Sequence, residues 1–212
     1  MSVKLAGNTT ATDVEVDTTS KAMRVTVYDI AGRDISASSK NTFSASGTFT
    51  PAATPTDLVI IEGSATKTVR IVSMVISTTN TAAGSQQFLL VKRSAADTTG
   101  TFVAATAIPW DSANTATANR VGHFTANPGA LGAVVGTINT IRVATPVAIP
   151  ATFAGITQKA EYDLIPAPPG GTNSLSTPVI LRGVAQCLAI NFAGATLVAG
   201  QTHAYTVIWT EE

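Results

Sequence analysis

A chain of 212 residues, 45% of them apolar, is long enough to bury the core of one generous domain, or of one domain preceded by an arm. Only 12% are charged, against a usual share of about 25%; Thr, Ala, Ser, Gly and Asn stand where Lys and Glu would be, and such a surface can pack against another without desolvating many charges. The 13 basic and 13 acidic residues cancel and form no Lys/Arg run, which argues against nucleic acid as a partner. The single cysteine, Cys187, rules out an internal disulfide and a cysteine-based zinc site.

Taken in chain order, residues 1–13, "MSVKLAGNTTATD", contain no apolar core of the kind a secretory signal needs. No later apolar stretch approaches the roughly 18 residues that span a bilayer. Synthesis in a cytoplasm, with no membrane partner, is the expectation. Residues 1–50 hold ten of the 26 charged side chains, and "DVEVD" and "KAMRVTVYD" alternate there as short strands do. A Ser/Thr/Ala/Pro-rich stretch at 36–57 shows no helix or strand period and is expected to be a linker or extended arm. The predicted organisation is therefore an N-terminal arm over 1–56 and a β-sandwich domain over 57–212.

From Asp57 onward the predicted elements are strands. "LVIIEG" and "KTVRIVSMVIS" carry the Val, Ile and Met content of strands buried on both faces. "QQFLLVKRS", "FVAATAIPWDS", "RVGHFTANPG", "VVGTINTIRVATPVAIP", "AEYDLIP", "PVILRGVAQCLAINF" and "HAYTVIWTEE" follow, with Gly, Pro, Asn and Asp between them. No segment keeps a 3.6-residue period long enough for a capped helix. Eight or so strands at this spacing predict an all-β fold, an antiparallel β-sandwich of jelly-roll type. In "QCLAINF", Leu188, Ile190 and Phe192 share one face and Cys187, Ala189 and Asn191 the other, the pattern of a half-buried strand. The last run, read as an edge strand, puts Tyr205, Val207 and Trp209 on one side. It needs cover from a partner, an arm or the core, with Glu211 and Glu212 wet as edge guards.

Little of this carries chemistry. His123 and His203 each stand in a strand-like run without a neighbouring carboxylate, so core roles are expected for both. Glycoside hydrolysis needs paired carboxylates, and the candidates are Asp57, Glu62, Asp97, Asp111, Glu161 and Asp163. Asp111 is the most interesting because it follows Trp110, a residue type that stacks on sugar rings, although Pro-Trp-Asp at a strand end is more often a packed turn. Glu161 and Asp163 share one side of a strand, but no Asp/Asn/Gly-rich calcium loop accompanies them. Cys187 has no basic neighbour to activate it, and no serine sits in a nucleophile elbow. No catalytic residue, cofactor or metal is expected.

Four stretches, "LLVKRSAADTTGT", "AIPWDSANTATANRVGHFTANPGALGAVVG", "VILRGVAQCLAINFAG" and "YTVIWTEE", together resemble, in that order, small β-rich virion structural proteins of tailed bacteriophages. The resemblance implies a structural component of the virion, assembled in the host cytoplasm, and brings no catalytic residues with it. Within that setting the charge-poor surface and the N-terminal arm suggest a capsid decoration or cement protein. Its partners would be itself, as a homotrimer, and the major capsid protein or another virion protein. The expected interface residues are Val14, Val16, Val25 and Val27 in the arm and Tyr205, Val207 and Trp209 in the terminal strand. The alternative is a tail, baseplate or head-fibre module that binds a host-surface carbohydrate through Trp110, Tyr162 or Tyr205. A polysaccharide depolymerase, with Asp111, Glu161 and Asp163 as its only candidate carboxylates, is the third and weakest reading.

Overall fold

A computed structural model describes residues 40–82, 84–145, 161–165 and 178–212, together with three short strands nearer the N-terminus. The chain divides into two compact units, Met1–Lys40 and Asn41–Glu212. Among the described residues every regular element is a strand, and no helix is long and apolar enough to cross a membrane.

In the first unit β1 (Val3–Gly7), β2 (Thr10–Val16) and β3 (Met23–Val25) form a three-stranded antiparallel sheet in that order. The alternating runs "DVEVD" and "KAMRVTVYD" supply β2 and β3. Val14 stands opposite Val3 on one side and Val25 on the other, and Val16 opposite Met23. Val27, the remaining arm residue expected at an interface, lies outside the described residues.

The second unit contains twelve described strands. They are β4 (Asn41–Phe49), β5 (Asp57–Glu62), β6 (Val69–Thr79), β7 (Gly84–Arg93), β8 (Thr101–Ala104), β9 (Ile108–Pro109), β10 (Val121–Ala126), β11 (Val134–Thr145), β12 (Glu161–Asp163), β13 (Val179–Leu181), β14 (Cys187–Asn191) and β15 (Thr202–Glu211). Sheet I runs β11-β7-β14-β5-β10-β8; sheet II runs β12-β6-β15-β4-β9, with β13 also on β6. Every pairing is antiparallel. Consecutive strands β4 to β7 alternate between the sheets. The last two strands then return to the middle, β14 between β5 and β7 and β15 between β4 and β6.

One apolar cluster joins the inner faces: Phe43, Ile71, Val207 and Trp209 from sheet II meet Leu58, Phe88, Leu90, Leu188 and Ile190 from sheet I. The arrangement is a β-sandwich in this sense, two antiparallel sheets sharing one core.

Three expectations need correction. Residues 41–49 belong to a strand, not to a linker. Their alternation is present, with Phe43, Ala45 and Phe49 buried and Thr42, Ser44, Ser46 and Thr48 outside. Small inward residues hide it; at Gly47 even a Cβ would stand 3.0 Å from the Tyr205 hydroxyl. The terminal strand is not an edge either. Its two neighbours satisfy its backbone, and Tyr205, Val207 and Trp209 are at most 3% exposed in the chain's own core, so these three are no surface for a partner. Finally, β14 is buried on both faces, its Cys187, Ala189 and Asn191 side included.

Candidate functional site

Each histidine is a core residue. His123 stacks on Phe49 with ring centroids 4.4 Å apart and its Nδ1 lies 3.2 Å from the Tyr205 hydroxyl. His203 sits among Phe49, Phe88 and Phe192, and Gln201 donates to its Nε2 at 3.1 Å. Burial lowers the pKa of both, that of His203 to about 4, so both are neutral at pH 7. Burial likewise pushes the Cys187 thiol up to about 12, which removes it as a nucleophile.

The carboxylates separate into distinct roles. Asp57 and Asp97 converge on Arg93. Glu62, fully buried, accepts from Arg120 Nε at 2.8 Å and from the Asn119 amide. Asp111 accepts the Ala113 N–H at 3.0 Å and fastens its own turn, which occupies it as a cap. Glu161 and Asp163 lie in β12 opposite Ser77 and Val75; their side chains, and that of Tyr162, lie outside the described ones. Asp57, Glu62, Asp97 and Asp111 are thus each engaged by an arginine, an amide or a backbone N–H.

Trp110 is different. It is 65% exposed, and Ile108 two residues earlier is 54% exposed. Both lie in the connector from β8 to β10, and two buried glutamates hold that connector. Glu211 Oε1 accepts from Trp209 Nε1 at 3.0 Å, the Thr117 N–H at 2.9 Å and the Ala118 N–H at 3.0 Å. Its Oε2 accepts from the Thr117 hydroxyl at 2.7 Å. Burial alone would raise the carboxyl pKa of Glu211, but the bonds from Trp209, Thr117 and Ala118 outweigh it and hold the group below its ordinary value. Glu62 holds the next two residues, Asn119 and Arg120. Glu211, expected to be a wet edge guard, is instead 2% exposed, because the connector folds over it and supplies the donors that water would have given. Glu212 pairs with Arg70 at the surface.

The same connector docks on sheet II. The Trp110 N–H donates to the Thr42 carbonyl at 2.9 Å, and Ile108 stands opposite Ser44. Across the sheet the register continues from Ser44 to Ile208 to Ser73, and from Ser46 to Thr206 to Val75. These positions alternate with the buried core residues and form the outer face of the sheet. Along β4, β6, β9 and β15 this face carries one charged residue, Arg70, and Glu212 neutralises it; at the β12 edge Glu161 and Asp163 stand opposite the outward Ser77 and Val75. The candidate site is thus a flat face of hydroxyl and small aliphatic side chains, edged by an exposed tryptophan on a fixed connector.

Of the residues singled out from sequence, the structure keeps Trp110 as a surface candidate and withdraws Tyr205 into the core. The outer rows of β4 and β15 were missed, although their Ser/Thr alternation was the available signal. Comparison with known protein families, curated proteins and solved structures returned no match for this chain.

Proposed function

We propose that the chain is a non-enzymatic virion structural protein of a tailed bacteriophage that works by adhesion, as a capsid decoration or cement protein on the shell. The observation that carries this reading is the outer face of sheet II. The outer rows of β4, β9 and β15 carry no charge, and Arg70 on β6 is paired with Glu212, so this part of the face costs little to dehydrate. The exposed part of Trp110, on the order of 130 Å², would contribute roughly 3 kcal/mol on burial. Many such copies, each binding modestly, hold a shell together by avidity. The jelly-roll type of connectivity, the homotrimer and the major capsid protein as partner belong to the same proposal, which invokes no catalytic residue, cofactor or metal.

A second reading is favoured by Trp110 alone. An exposed indole beside a row of hydroxyls is also what a neutral sugar ring stacks on, so a tail, baseplate or head-fibre module that binds host carbohydrate is the alternative. One experiment separates them: co-sedimentation with decoration-free capsids alongside a glycan array, for the wild type and for Trp110→Ala. Saturable capsid binding that Trp110→Ala weakens roughly tenfold or more, with a blank array, supports decoration. Glycan hits lost in Trp110→Ala, without capsid binding, support the second reading, and wild type bound to neither sinks both.

A further inference from the structure

Arg93 lies between two carboxylates. Asp57 on β5 meets it with both oxygens: Arg93 Nε donates to Oδ2 at 2.7 Å and Nη2 donates to Oδ1 at 2.9 Å. Asp97, four residues beyond Arg93, brings Oδ1 to 3.6 Å from the same Nε. That oxygen accepts the Gly132 N–H at 2.7 Å, while Arg93 Nη1 donates to the Gly132 carbonyl at 2.7 Å. One buried ion cluster therefore holds both backbone groups of Gly132. The fit is close: a Cβ on Gly132 would stand 1.8 Å from the Ala95 carbonyl oxygen.

With every group ionised, the charges of this cluster do not cancel. Asp57, Arg93 and Asp97 are each at most 2% exposed and carry one net negative charge between them. From β14, Asn191 donates to Asp57 Oδ1, and the Cys187 thiol stays protonated. From the segment before β10, Arg120 donates to the Asp97 carbonyl at 2.8 Å, but Glu62 on β5 already neutralises its charge. No facing element supplies a second free cation among the described residues. Asp97 Oδ2 is buried and, as a carboxylate oxygen, has no hydrogen-bond partner. An ionised, unpartnered oxygen there is costly, whereas a proton on it balances the charge and creates a donor.

We propose that Asp97 is a neutral carboxylic acid that donates its Oδ2 proton to Asp57, and that loss of this proton loosens the grip on Gly132 and on the apolar segment around it. That segment carries Leu131, Val134 and Val135, which are 42%, 59% and 62% exposed, so the clamp sets the order of a surface strip. On deprotonation the proton passes to solvent and two carboxylates are left on one guanidinium. Burial first, and then the Asp57 carboxylate, raise the Asp97 pKa from 3.8 to about 7. The folded state thus holds the proton more tightly than the unfolded chain. Stability from this group is complete below about pH 4 and is lost as pH rises through about 7. The proposal is independent of what the protein adheres to.

The test is a carboxyl ¹³C NMR titration of the wild-type protein, with hydrogen exchange followed at the Gly132 amide. The Asp97 carboxyl is expected to titrate near pH 7. Gly132 exchange, corrected for its intrinsic pH dependence, is expected to accelerate by roughly tenfold or more across that titration. Asp97→Asn keeps a donor toward Asp57 and an acceptor for Gly132 without ionising, and is expected to remove the acceleration. An Asp97 carboxyl that titrates in the ordinary range near 4, or Gly132 protection that does not change with pH, overturns the proposal. Both readings come from the wild type, so an Asp97→Asn protein that fails to fold leaves the test intact.

Discussion

The two sheets of the sandwich share one core but treat their outer faces in opposite ways. Sheet I is covered. The connectors at 94–100 and 127–133 bond to each other, Thr98 N–H to the Ala130 carbonyl and Ser94 N–H to the Ala133 carbonyl. They close over a layer that includes Arg93, Asp97 and Cys187. At the other end Ile60, Ala189 and Phe124 pack with Phe102 as a second, smaller apolar cluster. Among the described residues the outer rows of sheet II are half-exposed to exposed Thr, Ser, Val and Ile. The fold thus buries Asp57, Arg93, Asp97 and Glu62 within sheet I and its cover, and leaves the outer rows of β4, β9 and β15 without charge. The buried carboxylates Asp57, Glu62 and Glu211 fasten the fold internally, whereas the outward rows of β4, β9 and β15 can meet a partner without desolvating ions.

The sharpest way to break this comparison is to neutralise one arginine on each side. Arg93→Met leaves Asp57 and Asp97 buried without a guanidinium and Gly132 without a donor, and is expected to cost about 3–5 kcal/mol. Arg70→Met, which removes the partner of Glu212 at the surface, is expected to cost less than about 1 kcal/mol. Urea unfolding of the two variants side by side measures both, and equal losses would erase the distinction between the faces.

Glu211 comes next, because it ties the open sheet to the connector that presents Trp110. Glu211→Gln places an amide where only an acceptor fits and is expected to cost about 2 kcal/mol at neutral pH. The folded-state pKa of Glu211 lies below the ordinary 4.5. Its stabilising contribution is therefore present above that value and is lost as pH falls through the depressed one. The gap between wild type and Glu211→Gln is expected to close in acid, and thermal melts at a series of pH values follow it. The smallest effect on stability belongs to the open face itself. Thr206→Lys, in the middle strand, is expected to change stability by no more than about 0.5 kcal/mol while weakening whatever adhesion the face supports. A loss of several kcal/mol would show that this row is structural and not a free surface.

Much of the fold was legible where burial and local pattern agree. "LVIIEG" announced a strand buried on both sides, and β5 is buried at every position. "HAYTVIWTEE" announced its alternation, and β15 buries every second residue from His203 to Glu211. The strand at 41–49 was lost to composition, since Ala45 and Gly47 are weak hydrophobic signals among serines and threonines. "PVILRGVAQCLAINF" looked like one run and is two strands in different sheets, turning at Gly183 with φ 71°.

By itself, then, the sequence determined the all-β class, the alternation of its strongest strands and the scarcity of charge, because these follow from side-chain chemistry at a period of two. Only the tertiary structure decided which strands are central, which second faces are covered, and where the few charges go. Those outcomes depend on pairings between residues far apart in the chain. Asp57 with Arg93, Glu62 with Arg120 and Glu211 with Thr117 meet across 36, 58 and 94 positions, and nothing in the local pattern around any of them announces its partner. Whether a glutamate such as Glu211 is solvated or is the buried anchor of a distant connector is settled by what folds over it.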